Sequence, residues 1–203
     1  MKYSHIRQLA QRWKLVLGSG SPRRVALLKE LGITFKQIIP SLEERQKQGE
    51  SAFQFARRLA KDKALWVAKQ TDGDQLVIGC DTIVVLDEKI LQKPCDKSDA
   101  FRILSELAGR MHVVCTALAL VENEKLIASD CEFTKVYFNP ITAQQIRDYI
   151  ATGEPMDKAG AYGIQGMGAF LVDRISGNLD NVIGLPRTLL NSLAEEVIAK
   201  LNN

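Results

Sequence analysis

Apolar residues along this chain fall alternately in short runs and at helical spacing, and the changeovers mark out a succession of strands and helices. Lys14-Leu15-Val16-Leu17 predicts a strand, broken by Gly18-Ser19-Gly20. A helix is predicted to follow at once: Ser21 suits the N-cap, Pro22 the first helical position and Gly32 the left-handed residue that closes it. Leu27, Leu28 and Leu31 form its apolar face. Thr34 to Ile39 predicts a second strand, ended by Pro40. Ser51 and Gln54 spell a capping box for a helix reaching Gln70, with Ala52, Phe53, Ala56, Leu59, Ala60 and Val67 along one face.

Gln75 to Gly79 predicts a third strand that leads into the apolar run from Cys80 to Leu86. A short extended piece precedes Lys93-Pro94, and Ser98 is expected to cap a helix that runs through Leu107 and stops at Gly109. Met111 to Val121 and Leu126 to Phe138 read as antiparallel strands joined at Glu122-Asn123-Glu124-Lys125. Thr142 and Gln145 make another capping box for a helix closed by Gly153. Glu154 to Gly168 carries four glycines and no sustained period, so it is expected as a loop of functional length. Ala169 to Ile175 returns to strand, Gly177-Asn178 turns, Val182 to Pro186 is expected to be extended, and an amphipathic helix closes the chain from Leu189 to Leu201. Strands and helices mix throughout without repeat or linker, which predicts an α/β fold in a single compact unit.

Composition narrows the picture. No apolar run approaches the roughly 18 residues of a membrane span. The N-terminal MKYSHIRQLAQRWK lacks the apolar segment of a secretory signal, so residues 1–13 are expected to form a short, mobile basic extension ahead of one domain over 14–203. A net charge of +3 is too small to argue for nucleic acid, and any anionic ligand must be met locally. Cys80, Cys95, Cys115 and Cys131 form no CxxC pair and are expected as buried, reduced thiols of a cytoplasmic protein.

Several residues break the pattern in ways that carry chemistry. The stretch GSGSPRR, Gly18 to Arg24, joins a strand end to a helix start, where free N–H groups and two guanidiniums suit a phosphate. Taken alone, it also reads as a capped helix with solvated arginines. Lys63 falls in the middle of an apolar helical stripe, which Arg57, Arg58, Lys61 and Lys69 do not share. Such a lysine either snorkels or meets a negative charge in a cleft. Asp81 is embedded in an apolar strand, where an unpaired carboxylate is costly. Lys93 is held by the following Pro94, and Glu43-Glu44 lie on a loop where acids are ordinarily solvated. Together these are the parts for a metal-bound polyphosphate. There is no GxxxxGK[ST], and the order of Gly163, Gly166 and Gly168 is wrong for a dinucleotide fingerprint.

With SGSPRR at Ser19 to Arg24, KDKA at Lys61 to Ala64, CDTIV at Cys80 to Val84, Lys93-Pro94, GEPMDKAGAYGIQG at Gly153 to Gly166 and NVIGLP at Asn181 to Pro186, the chain resembles the Maf family of nucleoside triphosphate pyrophosphatases. The resemblance extends from Leu15 to the last helix. It implies an elongated two-lobed α/β architecture, with a mixed twisted sheet flanked by helices and a central cleft, often dimeric. It also implies hydrolysis of a nucleoside triphosphate to monophosphate and pyrophosphate with a divalent metal, Mg²⁺ or Mn²⁺, in the cytoplasm. Asp81 matches the family's catalytic aspartate and Glu44 its acidic partner near the metal. Arg23, Arg24, Lys63 and Lys93 match its phosphate-contacting cations, and Ser19 falls in the same substrate-binding motif. Thr82 and Gln165 fall where the family sets base preference. Arg23, Thr82 and Gln165 together resemble the branch acting on dTTP and UTP. The branch acting on 7-methylguanosine triphosphate has SPWR instead. Gly18 and Cys80 depart mildly from the family pattern. The resemblance also brings a second reading, a regulatory or nucleic-acid-binding protein of cell division, against which the local concentration of basic residues argues.

Overall fold

The computed structural model describes residues 3–201. Its seven strands form one sheet in the order β2-β1-β3-β5-β6-β7, with β4 paired to β3. In chain order the elements are α1 (Ser4–Arg12), β1 (Lys14–Gly18), α2 (Pro22–Lys29), β2 (Phe35–Ile38), α3 (Ala52–Ala68), β3 (Gln75–Leu86), β4 (Lys89–Leu91), α4 (Lys97–Leu107), β5 (Met111–Glu122), β6 (Lys125–Phe138), α5 (Ala143–Ala151), β7 (Val172–Ser176), α6 (Leu179–Ile183) and α7 (Arg187–Leu201). β1 pairs in parallel with β2 and β3, whereas β3–β4 and β6–β7 are antiparallel, so the sheet is mixed.

The chain divides into two compact units. The first takes the chain as far as Asp81, then Thr116–Glu132, and the chain from Gly184 onward; the second takes Thr82–Cys115 and Phe133–Ile183. In the first unit, Phe55, Ala56, Leu59, Ala60, Ala64 and Val67 of α3 are buried, as are Leu15, Val16 and Leu17 of β1. In the second, Leu86, Leu91, Ile103, Leu104, Phe138 and Leu171 share one apolar cluster with Tyr149 and Tyr162. Among the described residues no helix is long and apolar enough to cross a membrane.

Local signals explain most element ends. Ser51 with Gln54, and Thr142 with Gln145, form complete capping boxes at α3 and α5. Asn123 and Glu124 turn β5 into β6 with φ of 46° and 58°. Other expectations are corrected. Residues expected as a mobile extension include α1, whose Ile6 and Leu9 are fully buried; Met1 and Lys2 lie outside the described residues. Asp96 rather than Ser98 caps α4, because its side chain accepts the Asp99 N–H. Val182 and Ile183, expected as extended, are instead the end of α6, at whose start Asn178 Oδ1 accepts the Asp180 N–H at 3.0 Å. Phe53 is exposed, and Phe55 takes the inward position on α3. Of the cysteines, only Cys80 and Cys115 are buried; Cys95 is exposed and Cys131 intermediate.

Candidate active site

The parallel register of β1 and β3 sets Gly18 opposite Gly79, so the residues that follow, Ser19 and Cys80-Asp81, emerge side by side at the carboxyl end of β1. Gly79 admits α3 closely: a Cβ there would collide with the carbonyl oxygen of Ala60 and with Ala64. Asp81 lies on the same strand face as Gly79, two residues on, and Lys63 follows Ala60 by three residues, so the close approach of helix and strand aims one side chain at the other.

They meet at 2.6 Å, Lys63 Nζ to Asp81 Oδ1, with Lys63 8% and Asp81 4% exposed. Glu44 Oε1 stands 2.7 Å from the same Nζ. Lys63 therefore does not snorkel; it is shared by two carboxylates. The acidic pair on the loop divides, since Glu43 pairs with exposed Arg45 instead. Burial pushes the Asp81 carboxyl up from its ordinary range, while the Lys63 ammonium and the Arg24 guanidinium pull it down and Glu44 adds to the rise.

Arg24 braces the neighbouring turn. Its NH1 donates to Ser19 Oγ at 2.9 Å and to the Cys80 carbonyl at 3.1 Å, and its Nε donates to the Gly184 carbonyl at 2.8 Å. Ser19 is buried, and its Oγ also accepts the Ser21 N–H at 3.2 Å, while its carbonyl accepts Gln37 Nε2 at 2.7 Å. Ser21 occupies the N-cap of α2 without a side-chain cap bond. Arg23 is partly buried in the first turn of α2. The first unit thus brings together Ser19, Arg24, Glu44, Lys63 and Asp81. Thr82, Lys93 and Gln165 belong to the second unit: Thr82 follows Asp81 on β3 and is partly buried, Lys93 is exposed after β4, and Gln165 is exposed in the glycine-rich loop.

Sequence reasoning missed the residue that fixes the Glu44 loop. Arg58 Nε and NH2 bond both oxygens of Glu50 at 2.6 and 2.8 Å, and NH2 also donates to the Arg45 carbonyl at 2.8 Å. Glu50 further accepts the Lys47 N–H, and its carboxyl is held down at about 2, first by the Arg58 hydrogen bonds. The only signal in the sequence was the placement of Arg58 off the apolar stripe of α3.

In this α/β protein a buried lysine is thus shared by two carboxylates, beside an arginine-braced turn at the carboxyl end of a parallel strand. The chain belongs to the Maf family, whose model, described as Maf-like protein, matches residues 14–197. It is 46% identical over 173 residues to a dTTP/UTP pyrophosphatase of Escherichia coli (strain K12), covering 85% of this chain and 87% of the relative. A nucleoside triphosphate pyrophosphatase of Shigella flexneri matches with the same 46% identity and the same coverage of 85% and 87%. A solved HAM1 protein from Coxiella burnetii superposes with a TM-score of 0.49 at 18% identity, covering 94% of this chain and 98% of that one.

Proposed function

We propose that this chain hydrolyses dTTP and UTP, and modified pyrimidine nucleotides of the same kind, to the nucleoside monophosphate and pyrophosphate. The observation that carries the reading is the convergence of Glu44 and Asp81 on Lys63 Nζ, at 2.7 and 2.6 Å, in a chain whose relatives bear that name.

Two carboxylates converging on one point fit a hard divalent cation, Mg²⁺ or Mn²⁺, that draws its other ligands from water and substrate phosphates. Among the described residues no group of three or more His, Cys, Asp or Glu side chains could hold a metal ion. Glu44 and Asp81 would hold the ion, which would supply positive charge against the phosphoryl oxygens and Lewis acidity toward water. In this reading Asp81 also takes the proton of the attacking water. Lys63 keeps the two carboxylates together before substrate arrives and meets phosphate charge afterwards. Arg23 and Lys93 supply further positive charge to the polyphosphate, and Arg24 with Ser19 shapes the turn that receives it. In the same reading Thr82 and Gln165 select the base; a Gln amide offers the donor and acceptor pair complementary to a uracil or thymine edge.

The test is a panel of nucleoside triphosphates with product identification. Pyrophosphate and monophosphate from dTTP and UTP, ahead of CTP and GTP, are expected. Release of orthophosphate would replace this reading with that of a terminal phosphatase.

A further inference from the structure

Gln165 sits between two anchor points that a single carboxylate governs. Glu154 Oε1 accepts the Tyr149 hydroxyl at 2.9 Å and the Gly168 N–H at 3.2 Å, and Oε2 accepts the Met167 N–H at 2.9 Å. The Tyr149 hydroxyl in turn accepts the Gly163 N–H at 3.0 Å. The chain is therefore tied at Gly163 and again at Met167-Gly168, with exposed Gln165 in the span between.

The wrapping is tight enough to dictate sequence. Gly166 has a φ of 76°, and a Cβ there would stand 2.9 Å from Glu154 Oε2; a Cβ on Gly168 would collide with the Gly163 carbonyl and the Tyr149 hydroxyl. The anchor itself is fixed. Tyr149 is 2% exposed on α5, the Glu154 N–H donates to Thr152 Oγ1 at 3.1 Å, and the Glu154 carbonyl accepts Lys158 Nζ. Burial opposes the charge on Glu154, but the Met167 and Gly168 N–H groups, the Tyr149 hydroxyl and the Lys158 charge together hold its carboxyl below the ordinary range, so it is ionised when it makes these bonds.

We propose that Glu154, acting with Tyr149, is a specificity-determining positioning residue that holds the 163–168 loop so that Gln165 meets the pyrimidine edge in one fixed place. The proposal rests on the reading of Gln165 as a base-selecting residue. A glycine-rich span left free would have to be ordered each time a nucleotide bound, and that cost falls on affinity for the base rather than on bond cleavage. Glu154 removes it in advance.

The test uses the full chain with Glu154→Gln, Tyr149→Phe and Gln165→Ala, each assayed on dTTP, UTP, CTP and GTP, with amide hydrogen exchange followed over 163–168. Glu154→Gln is expected to speed exchange at Met167 and Gly168, and Tyr149→Phe at Gly163. Both should raise KM for dTTP and UTP by about 10-fold and flatten the preference over CTP and GTP toward the Gln165→Ala profile, with kcat changed by less than about 3-fold. A purely structural role would lower kcat and KM performance for all four nucleotides alike. Unchanged exchange in both variants overturns the proposal. So does a wild-type ranking in both while Gln165→Ala flattens it. A Gln165→Ala enzyme that keeps the wild-type ranking instead removes the base-reading role of Gln165, and the proposal falls with it, on a distinct signature. If Glu154→Gln does not fold, Tyr149→Phe, which deletes one oxygen, decides alone.

Discussion

Lys63 Nζ lies 2.6 Å from Asp81 Oδ1 at a depth where neither side chain has much water, so each charge serves as the other's main solvation. Lys63→Met leaves a buried carboxylate without its cation. Turnover should fall at least about 10²-fold, and stability should fall by about 3 kcal/mol at pH 8. Adding Asp81→Asn should restore most of that stability without restoring activity. Lys61→Met, on the exposed face of the same helix, should change neither. Equal losses from the two lysine changes, measured by denaturant unfolding and product release, would refute the pairing.

Asp81 must be ionised to accept a proton, and burial lifts its carboxyl above the ordinary 3.8. Asp81→Asn should cost at least about 10²-fold in kcat while the thermal transition survives. Near-normal turnover in that variant would remove Asp81 from the chemistry.

Arg58 fixes the backbone at Arg45, the residue after Glu44, through its 2.8 Å bond to the Arg45 carbonyl. Arg58→Gln and Glu50→Gln should each lower kcat/KM by about 10-fold, because Glu44 then spends time away from Lys63. Since both act through one link, the double variant should be scarcely worse than either single one. Fully multiplicative losses in the kinetic double-mutant cycle would argue against a common latch.

His112 is 1% exposed, its Nε2 lies 2.7 Å from the Tyr162 hydroxyl, and its Nδ1 has no hydrogen-bond partner among the described residues. Burial pushes its pKa down from 6.5 to about 4. The unfolded chain therefore binds a proton before the folded one does. Stability is full above pH 6.5 and is lost as pH falls toward 4. His112 should contribute a loss of up to about 3 kcal/mol across that window, at 1.36 kcal/mol per unit. His112→Gln should unfold with a correspondingly flatter pH dependence in thermal scans. Superimposable curves would show that His112 is not the group responsible.

The parts of the fold that sequence made legible are those set by neighbours in the chain. The capping boxes of α3 and α5 join residues three apart, and β1 ends at a glycine turn visible in the sequence. Lys63 and Asp81 stood out because each violates the apolar pattern around it, which is why both could be singled out without coordinates. Other residues are decided by contacts that sequence does not mark. Glu43 and Glu44 are chemically identical neighbours, and only the path of a loop pinned by Arg58 separates the one at Lys63 from the one at Arg45. Phe53 and Phe55 lie about 200° apart around the helix, so the buried one is chosen by what packs against α3. In α6, Asn181 is fully buried, donating to the Val114 carbonyl and to Thr134 Oγ1, and these distant partners favour a helical turn where the local run of apolar residues read as extended. The anchoring role of Glu154 was not legible because the hydrogen-bond partners of its carboxylate, apart from Tyr149, are backbone amides 13 and 14 positions away.

A glycine-rich stretch in a nucleotide-handling protein invites the assumption that its amides cradle phosphate. In the 163–168 loop the N–H groups of Met167 and Gly168 already face a negative charge that the chain carries within itself, and that of Gly163 faces the hydroxyl bound to it. The segment is in effect self-ligated: Gly166 leaves room for the Glu154 carboxylate, and Gly168 for the Gly163 carbonyl and the Tyr149 hydroxyl. Those three amides are committed within the chain and are not free to receive a phosphate.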